Sequence, residues 1–348
     1  MFKPNYQISN RILTGIAAIE SARELIENAP LVPYWEKQFR EDRVVRTVHY
    51  STALEGNKLT IEDVRKVLRG EEGNVKAYQR DIQEVINYRN VIKYIEQVHN
   101  TSKCVSEEHM LKVHEFTVYR IVPEDEVVSY RTKAWGTRNS STGEISFVAP
   151  EPEKINELVE GFFSWVNSNE FTDTHPVLRS GIILAEIARI HPFTEGNGRT
   201  SRALATLSLY LDGYDIKRFF ALDEYYDQNS EEYYDAIQTY QQEGDSLVPW
   251  LEFFVKGLDI ELSRVKERVL SMSRDHKLRQ EIGQVALNDR QEEILKHIED
   301  KGEIKNQDWR DLFPDLSDDT LLRDLKDMMD KGVIKKEGKT KASRYILR

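Results

Sequence analysis

Residues 191–202 read HPFTEGNGRTSR, and almost every position in that run is a group that can do chemistry. His191 titrates near neutral pH and suits a general base. Glu195 is a hard oxygen ligand of the kind that holds Mg²⁺, a cation that binds through one or two carboxylates plus substrate phosphates. Gly196, Asn197 and Gly198 allow successive backbone N–H groups to point one way, and the helical period resuming in RTSRALATLSLYL adds the positive end of a helix dipole. Together they make an anion cradle, with phosphate as its natural guest. Arg199 and Arg202 stand three apart, on one face of the first turns, where the dipole disfavours cations; two cations there point to an anion that both serve. Taken singly each feature has a bland explanation: a histidine before proline is mostly structural, Gly-Asn-Gly is a common turn, and paired arginines mostly face solvent. Two familiar motifs are excluded: no Gly-Lys-Ser/Thr follows the glycines, as a Walker loop needs, and there is no HExxH of a zincin.

A second stretch, STALEGN at residues 51–57, opens like a helix and closes like a turn. Ser51 and Glu55 stand four apart on one helix face, while Gly56 and Asn57 tolerate the left-handed backbone that closes a last turn. Thr60 with Asp63, just before Val64, Val67 and Leu68, reads as a capped helix start, so residues 56–59 form a tight link between two helices. By itself Glu55 reads as a solvated acid at a helix end.

The elements that must position these residues are mostly helical. Apolar residues recur at spacings of three and four in Ile12 to Ile26, Val44 to Leu54, Val85 to Val98, Ile155 to Val166, Leu178 to Ile190 and Ser201 to Leu211. Between Arg131 and Pro152 that period disappears; the turn-rich NSSTGE, flanked by AWGTR and the alternating ISFVAP, predicts a short hairpin. The organisation expected is an N-terminal helical region at 1–95, a core at 96–265, a charged linker helix at 266–286 and a separate unit at 287–348. In that last unit three short helices precede two strands around a basic loop, the winged helix-turn-helix pattern. It holds 14 basic and 15 acidic residues, and its presumed recognition helix carries Asp318, Asp319, Asp324 and Asp327 against Arg323 and Lys326. That is not the footprint of a strong DNA binder, and DNA binding, protein docking and intramolecular packing all stay open for it.

The 348 residues, 39% hydrophobic and 10% aromatic, are enough for two or three packed domains. MFKPNYQISN lacks the apolar segment of a secretory signal, and no stretch approaches the roughly 18–20 apolar residues of a membrane span, so a cytoplasmic protein without membrane contact is expected. A single cysteine, Cys104, excludes an internal disulfide and a cysteine-built zinc site. The net charge of −11 repels phosphate backbones at long range, so nucleotide binding must come from a local cationic site.

Taken whole, HPFTEGNGRTSR resembles the signature of the Fic family, His-Pro-Phe-x-Asp/Glu-Gly-Asn-Gly-Arg-x-x-Arg, at every fixed position from His191 to Arg202. The helices around residues 105–265, the hairpin near 138–148 and the EEYYDAI…GDSLVPWLEFF stretch are similar to the family's helical core, flap and closing helices. STALEGN is similar to its inhibitory pattern, Ser/Thr-x-x-x-Glu-Gly/Asn, and precedes the core as in members with an N-terminal inhibitory helix. The resemblance implies transfer of AMP from ATP to a Ser, Thr or Tyr hydroxyl of a protein, with Mg²⁺. It implies His191 as base, Glu195 as metal ligand, Asn197 and the backbone of Gly196 and Gly198 on phosphate oxygens, Arg199 on the β-phosphate and Arg202 on the γ-phosphate. Asn229 and Tyr233 resemble the wall for adenine and ribose. Glu55 would pair with Arg202 and turn ATP into an unproductive pose, and Ser51 would bond to the motif. A protein target would dock along the flap at Glu144 to Val148; self-modification and a homo-oligomer stay open. Two other readings also stay open: a nucleotide-sensing, DNA-binding regulator, and a Fic enzyme that removes AMP or transfers another nucleotide.

Overall fold

The apolar stripe expected at Ile12 to Ile26 forms α1 (Asn10–Asn28) in the computed structural model, with Ile12, Ile19, Ala22 and Ile26 buried along one side. The structure describes residues 2–29, 31, 33–99, 101–138, 145–243, 246–282, 287–314, 316–338 and 343–347. These divide into two compact units, one of Met1–Glu27 with Asp42–Val265 and one of Asn28–Glu41 with Lys266–Arg348. The expectation of a mainly helical protein is borne out.

In the first unit, α2 (Pro33–Ala53) ends inside STALEGN. Backbone bonds from Gly56 to Ala53 and from Asn57 to Thr52 close the turn, and Gly56 takes φ +94°, a left-handed value that glycine adopts without a Cβ penalty. The Asn57 amide then donates to the Glu84 carboxylate at 2.9 Å, and its oxygen accepts from Leu59 N–H, which fastens the turn from both sides. Thr60 caps α3 (Ile61–Leu68) by accepting from Asp63 N–H. Next come α4 (Gln79–Val98) and α5 (Glu107–Val118). The hairpin is β1 (Gly136–Arg138) against β2 (Ile145–Val148), antiparallel, with Gly136 opposite Val148. Of the segment expected to receive a target, Glu144 lies outside the described residues.

After α6 (Ile155–Val166) and α7 (Asn169–Asp173), the chain forms α8 (Pro176–Ile190) and α9 (Asn197–Leu211). Both are buried almost all round, as expected of helices at the centre of a core rather than on its surface. The link between them is the HPFTEGNG loop. α10 (Leu222–Gln228), α11 (Ser230–Glu243) and α12 (Val248–Ile282) complete the set, with the fully buried Trp250 donating its indole N–H to the Gly181 carbonyl of α8 at 2.7 Å. The charged segment expected as a linker helix from 266 is the continuation of α12.

The second unit contains α13 (Asp289–Lys301), β3 (Ile304–Lys305), α14 (Asn306–Leu312), α15 (Asp318–Asp330), β4 (Ile334–Glu337) and β5 (Arg344–Leu347), the sheet running β3-β5-β4 with antiparallel pairs. Ile294, Ile298, Trp309, Leu321, Leu325, Met328 and Tyr345 make its core. Asp324 of α15 faces inward and takes Arg290 and Asn288, so that acid is committed to packing. No helix among the described residues is long and apolar enough to cross a membrane.

Candidate active site

The turn between α8 and α9 is held at three points. His191 ends α8 with φ 50°, ψ 59°, a left-handed conformation that costs a non-glycine residue about 1–2 kcal/mol and therefore needs outside support. Asn197 spends its side chain on the loop: Oδ1 accepts from Phe193 N–H at 2.9 Å and Nδ2 donates to Phe193 C=O at 2.7 Å. That leaves its backbone N–H and the second hydrogen of Nδ2 as donors for an anion. His114 of α5 donates from Nε2 to the Glu195 carbonyl at 3.0 Å and stacks flat on the fully buried Phe193, with ring centres 3.6 Å apart. Gly196 is required twice over: it takes φ +82°, and a Cβ there would press to 2.8 Å from Val118.

The His191 ring stacks on Trp135, centre to centre 3.7 Å, with Phe147 of β2 at its edge. Its Nδ1 lies 3.4 Å from the Ala188 carbonyl. A carbonyl only accepts, so Nδ1 carries the proton and Nε2 keeps its lone pair. Burial, helped by the cation of Arg131, lowers the pKa of His191 to about 4, while Glu55 pulls the other way. At neutral pH the ring is an unprotonated base.

Glu55 stands on the same cavity, which is also lined by Trp135, Phe147, Glu195, Gly198, Arg202 and Tyr233. Its carboxylate is 3.0 Å from Arg202 Nη2, with 2% of the arginine side chain and 30% of the glutamate side chain exposed. A Cβ on Gly198 would collide with Glu55 Oε1, so the carboxylate rests on the first turn of α9, where N–H groups have no partner within the helix. Burial opposes ionisation of Glu55, but Arg202 and then Arg199 outweigh it and hold the carboxyl below its ordinary range. Arg202 has further partners: Ser51 Oγ and C=O, at 3.2 and 2.8 Å from Nη2, and the buried Asp223 at 3.2 Å from Nε. Ser51 therefore meets the motif through Arg202 itself.

Arg199 is buried, and its Nε and Nη1 have no hydrogen-bond partner among the described residues. Its nearest acids are Glu195 and Glu84, at 3.5 and 3.6 Å, too far for a good hydrogen bond. Buried orphan donors of this kind fit an anion. Glu195 in turn is contacted by Arg80 of α4. The structure thus brings together His191, Glu195, Gly196, Asn197, Gly198, Arg202, Glu55 and Tyr233 around one cavity, with Arg199 beside it.

Asn229 is not brought there. It caps α10, donating to the Tyr225 carbonyl at 2.9 Å, and lines a separate cleft with residues of α1, α11 and α12. The cause is the break between α10 and α11, which turns Asn229 away while Tyr233, one turn on, faces the cavity. Sequence reasoning missed Trp135, His114, Asp223, Glu84 and Arg131. For Trp135 the signal available was its place in AWGTR at the start of the hairpin.

Residues 104–209 match the Fic/DOC family. Over 221 residues the chain is 25% identical to the protein adenylyltransferase Fic of Aedes aegypti, covering 62% of this chain and 40% of that protein. It is 22% identical over 239 residues to the protein of the same name from Culex quinquefasciatus, covering 68% and 44%. The chain thus spans less than half the length of these curated relatives. The crystal structure of a Fic family protein from Desulfovibrio desulfuricans G20 shares the fold, with a TM-score of 0.69 at 24% identity over 100% of this chain and 98% of that one.

Proposed function

This chain is a Fic domain protein, and we propose from that premise that it transfers AMP from ATP to a hydroxyl of a protein and is restrained by its own Glu55. The observation that carries the reading is the sharing of one cavity by an unprotonated His191 and an Arg202 already paired with Glu55. His191 Nε2 takes the proton of a Ser, Thr or Tyr hydroxyl as that oxygen bonds to the α-phosphorus. The bond from the α-phosphorus to the oxygen bridging to the β-phosphate breaks, and pyrophosphate leaves. The N–H groups at the start of α9 and the unpartnered donors of Arg199 suit the phosphate oxygens. With Glu55 in place, the first turn of α9 and Arg202 are both occupied by a carboxylate, so ATP has no room for a productive triphosphate pose.

A divalent cation fits this wall. Among the described residues no three His, Cys, Asp or Glu converge, while Glu195 offers one carboxylate to the cavity, a donor set that suits Mg²⁺ completed by phosphates and water. When bound, Mg²⁺ supplies charge neutralisation on the phosphates. Tyr233 serves as part of the nucleotide wall. The edge of β2 not paired with β1 suits an extended target segment, with Phe147 turned in and Val148 58% exposed.

We read the second unit as a winged helix that docks protein rather than DNA, because the exposed face of α15 carries Asp318 and Asp319 beside Leu322, Arg323 and Lys326. The test of the enzymatic reading is incubation of the chain and a lysate with ATP labelled at the α-phosphate, followed by detection of label on protein.

A further inference from the structure

We propose that Arg131 is a positioning residue that clasps both ends of the hairpin to the carbonyl end of α8 and thereby fixes the His191 ring at the cavity. It rests on the reading of His191 as general base. Arg131 is 4% exposed, and every nitrogen of its guanidinium goes to backbone carbonyls. Nε donates to His191 C=O at 2.7 Å, Nη1 to Lys133 C=O at 3.0 Å and Nη2 to Pro150 C=O at 2.6 Å. Its backbone N–H donates to Pro192 C=O at 2.8 Å. Lys133 enters the hairpin and Pro150 leaves it, so one side chain ties the hairpin's two feet together and both to the loop. Trp135, two residues past Lys133, is the ring on which His191 stacks.

The choice of arginine has a physical reason. Three carbonyls in different directions need a rigid fork of donors, and the last carbonyls of a helix favour a cation. No carboxylate of the described residues forms an ion pair with Arg131, although the charge of Glu151 acts on it. A buried cation without a paired acid is unusual, and here its charge disfavours protonation of the His191 imidazole. The other charged group acting on His191 is Glu55, with Glu195 and Arg202 on the same cavity.

The test uses the full chain with ring-labelled histidine, followed by NMR from about pH 4 to pH 8 in wild type, Arg131→Lys and Arg131→Gln. Lysine keeps the charge but not the fork; glutamine loses both. Both variants are expected to lose the ring-current displacement that Trp135 imposes on His191, and the glutamine variant to raise the His191 midpoint by about one pH unit. The other seven of the eight histidines should stay put. In the Glu55→Gly background each variant should lower kcat by roughly tenfold to a hundredfold at unchanged ATP affinity. Unaltered His191 signals in both variants overturn the proposal, and so do shifts of all eight histidines together, which mark a general structural role. Should the chain prove not to transfer AMP, the NMR still decides the role of Arg131, so the two failures are distinguishable.

Discussion

Replacing Glu55 by glycine should raise AMP transfer by about tenfold to a hundredfold. The Arg202–Glu55 pair is made at 3.0 Å, and unit charges about 4 Å apart at an effective dielectric of about 20 attract by about 4 kcal/mol. Two features reduce what the substitution releases. Glu55 keeps 30% of its side chain exposed, and Arg202 retains Asp223 and Ser51 as partners. About 1.5–3 kcal/mol remains, toward the low end of couplings measured for close interior charge pairs, and each 1.4 kcal/mol is a factor of ten. The assay is the initial rate of label transfer from α-labelled ATP at matched ATP, Mg²⁺ and protein. Glu55→Gln, which keeps the volume and loses the charge, should fall between wild type and glycine. Arg202→Ala breaks the same pair yet should not activate, because it removes the cation meant for the γ-phosphate. Equal rates in wild type and Glu55→Gly would refute the reasoning and return Glu55 to the role of a half-exposed helix-end acid.

His191→Ala should abolish transfer while calorimetry still shows nucleotide binding, since the base is lost and the phosphate cradle is not. Glu195→Ala should weaken ATP binding in the presence of Mg²⁺ and leave the much weaker metal-free binding unchanged; equal losses with and without the metal would contradict the ligand role. Transfer by Glu55→Gly should stay level from neutral pH downward and drop only below about pH 4, because the substitution removes the carboxylate that holds the His191 pKa up against burial and Arg131. Stability should fall over a related window: burial lowers His191 and His114 to about 4, so between their ordinary value near 6.5 and about 4 the unfolded chain binds more protons, and acidification through that interval favours unfolding. Thermal melts at stepped pH would check the direction. Thr60→Ala should cost about 1 kcal/mol through loss of the α3 cap, read from denaturant unfolding.

What could be read from the sequence was what travels in short strings. HPFTEGNGRTSR carries its chemistry in residue types at fixed spacing, and the helices on either side announce themselves by period. STALEGN showed its helix end and turn, but only the resemblance put Glu55 opposite Arg202, 147 positions away. The hairpin was legible because alternation replaced the helical period. The supporting residues were not, and for one reason: their partners are backbone carbonyls, rings or charged and polar side chains distant in sequence. Arg131 reaches Ile190, His191 and Pro192, His114 reaches Glu195, and Asp223 reaches Arg202, with no spacing to betray any of them. Asn229 failed for the opposite reason, since it sits near Tyr233 in sequence while the junction of α10 and α11 faces the two residues into different cavities. Residues 28–41 group with the C-terminal unit, where Arg268 lies over the Phe39 ring, a contact that no local pattern announces.

The central claim is that this chain moves AMP, with His191 as base and Glu55 as restraint. The most direct measurement is mass spectrometry of Glu55→Gly and a lysate after incubation with Mg²⁺ and ATP, run in parallel with ATP labelled at the α- or the γ-phosphate. The account expects a protein adduct of one AMP that keeps the α-label and loses the γ-label, is weaker in wild type, and is absent when His191→Ala is added. An adduct that carries the γ-label, or one formed equally well without His191, would contradict it.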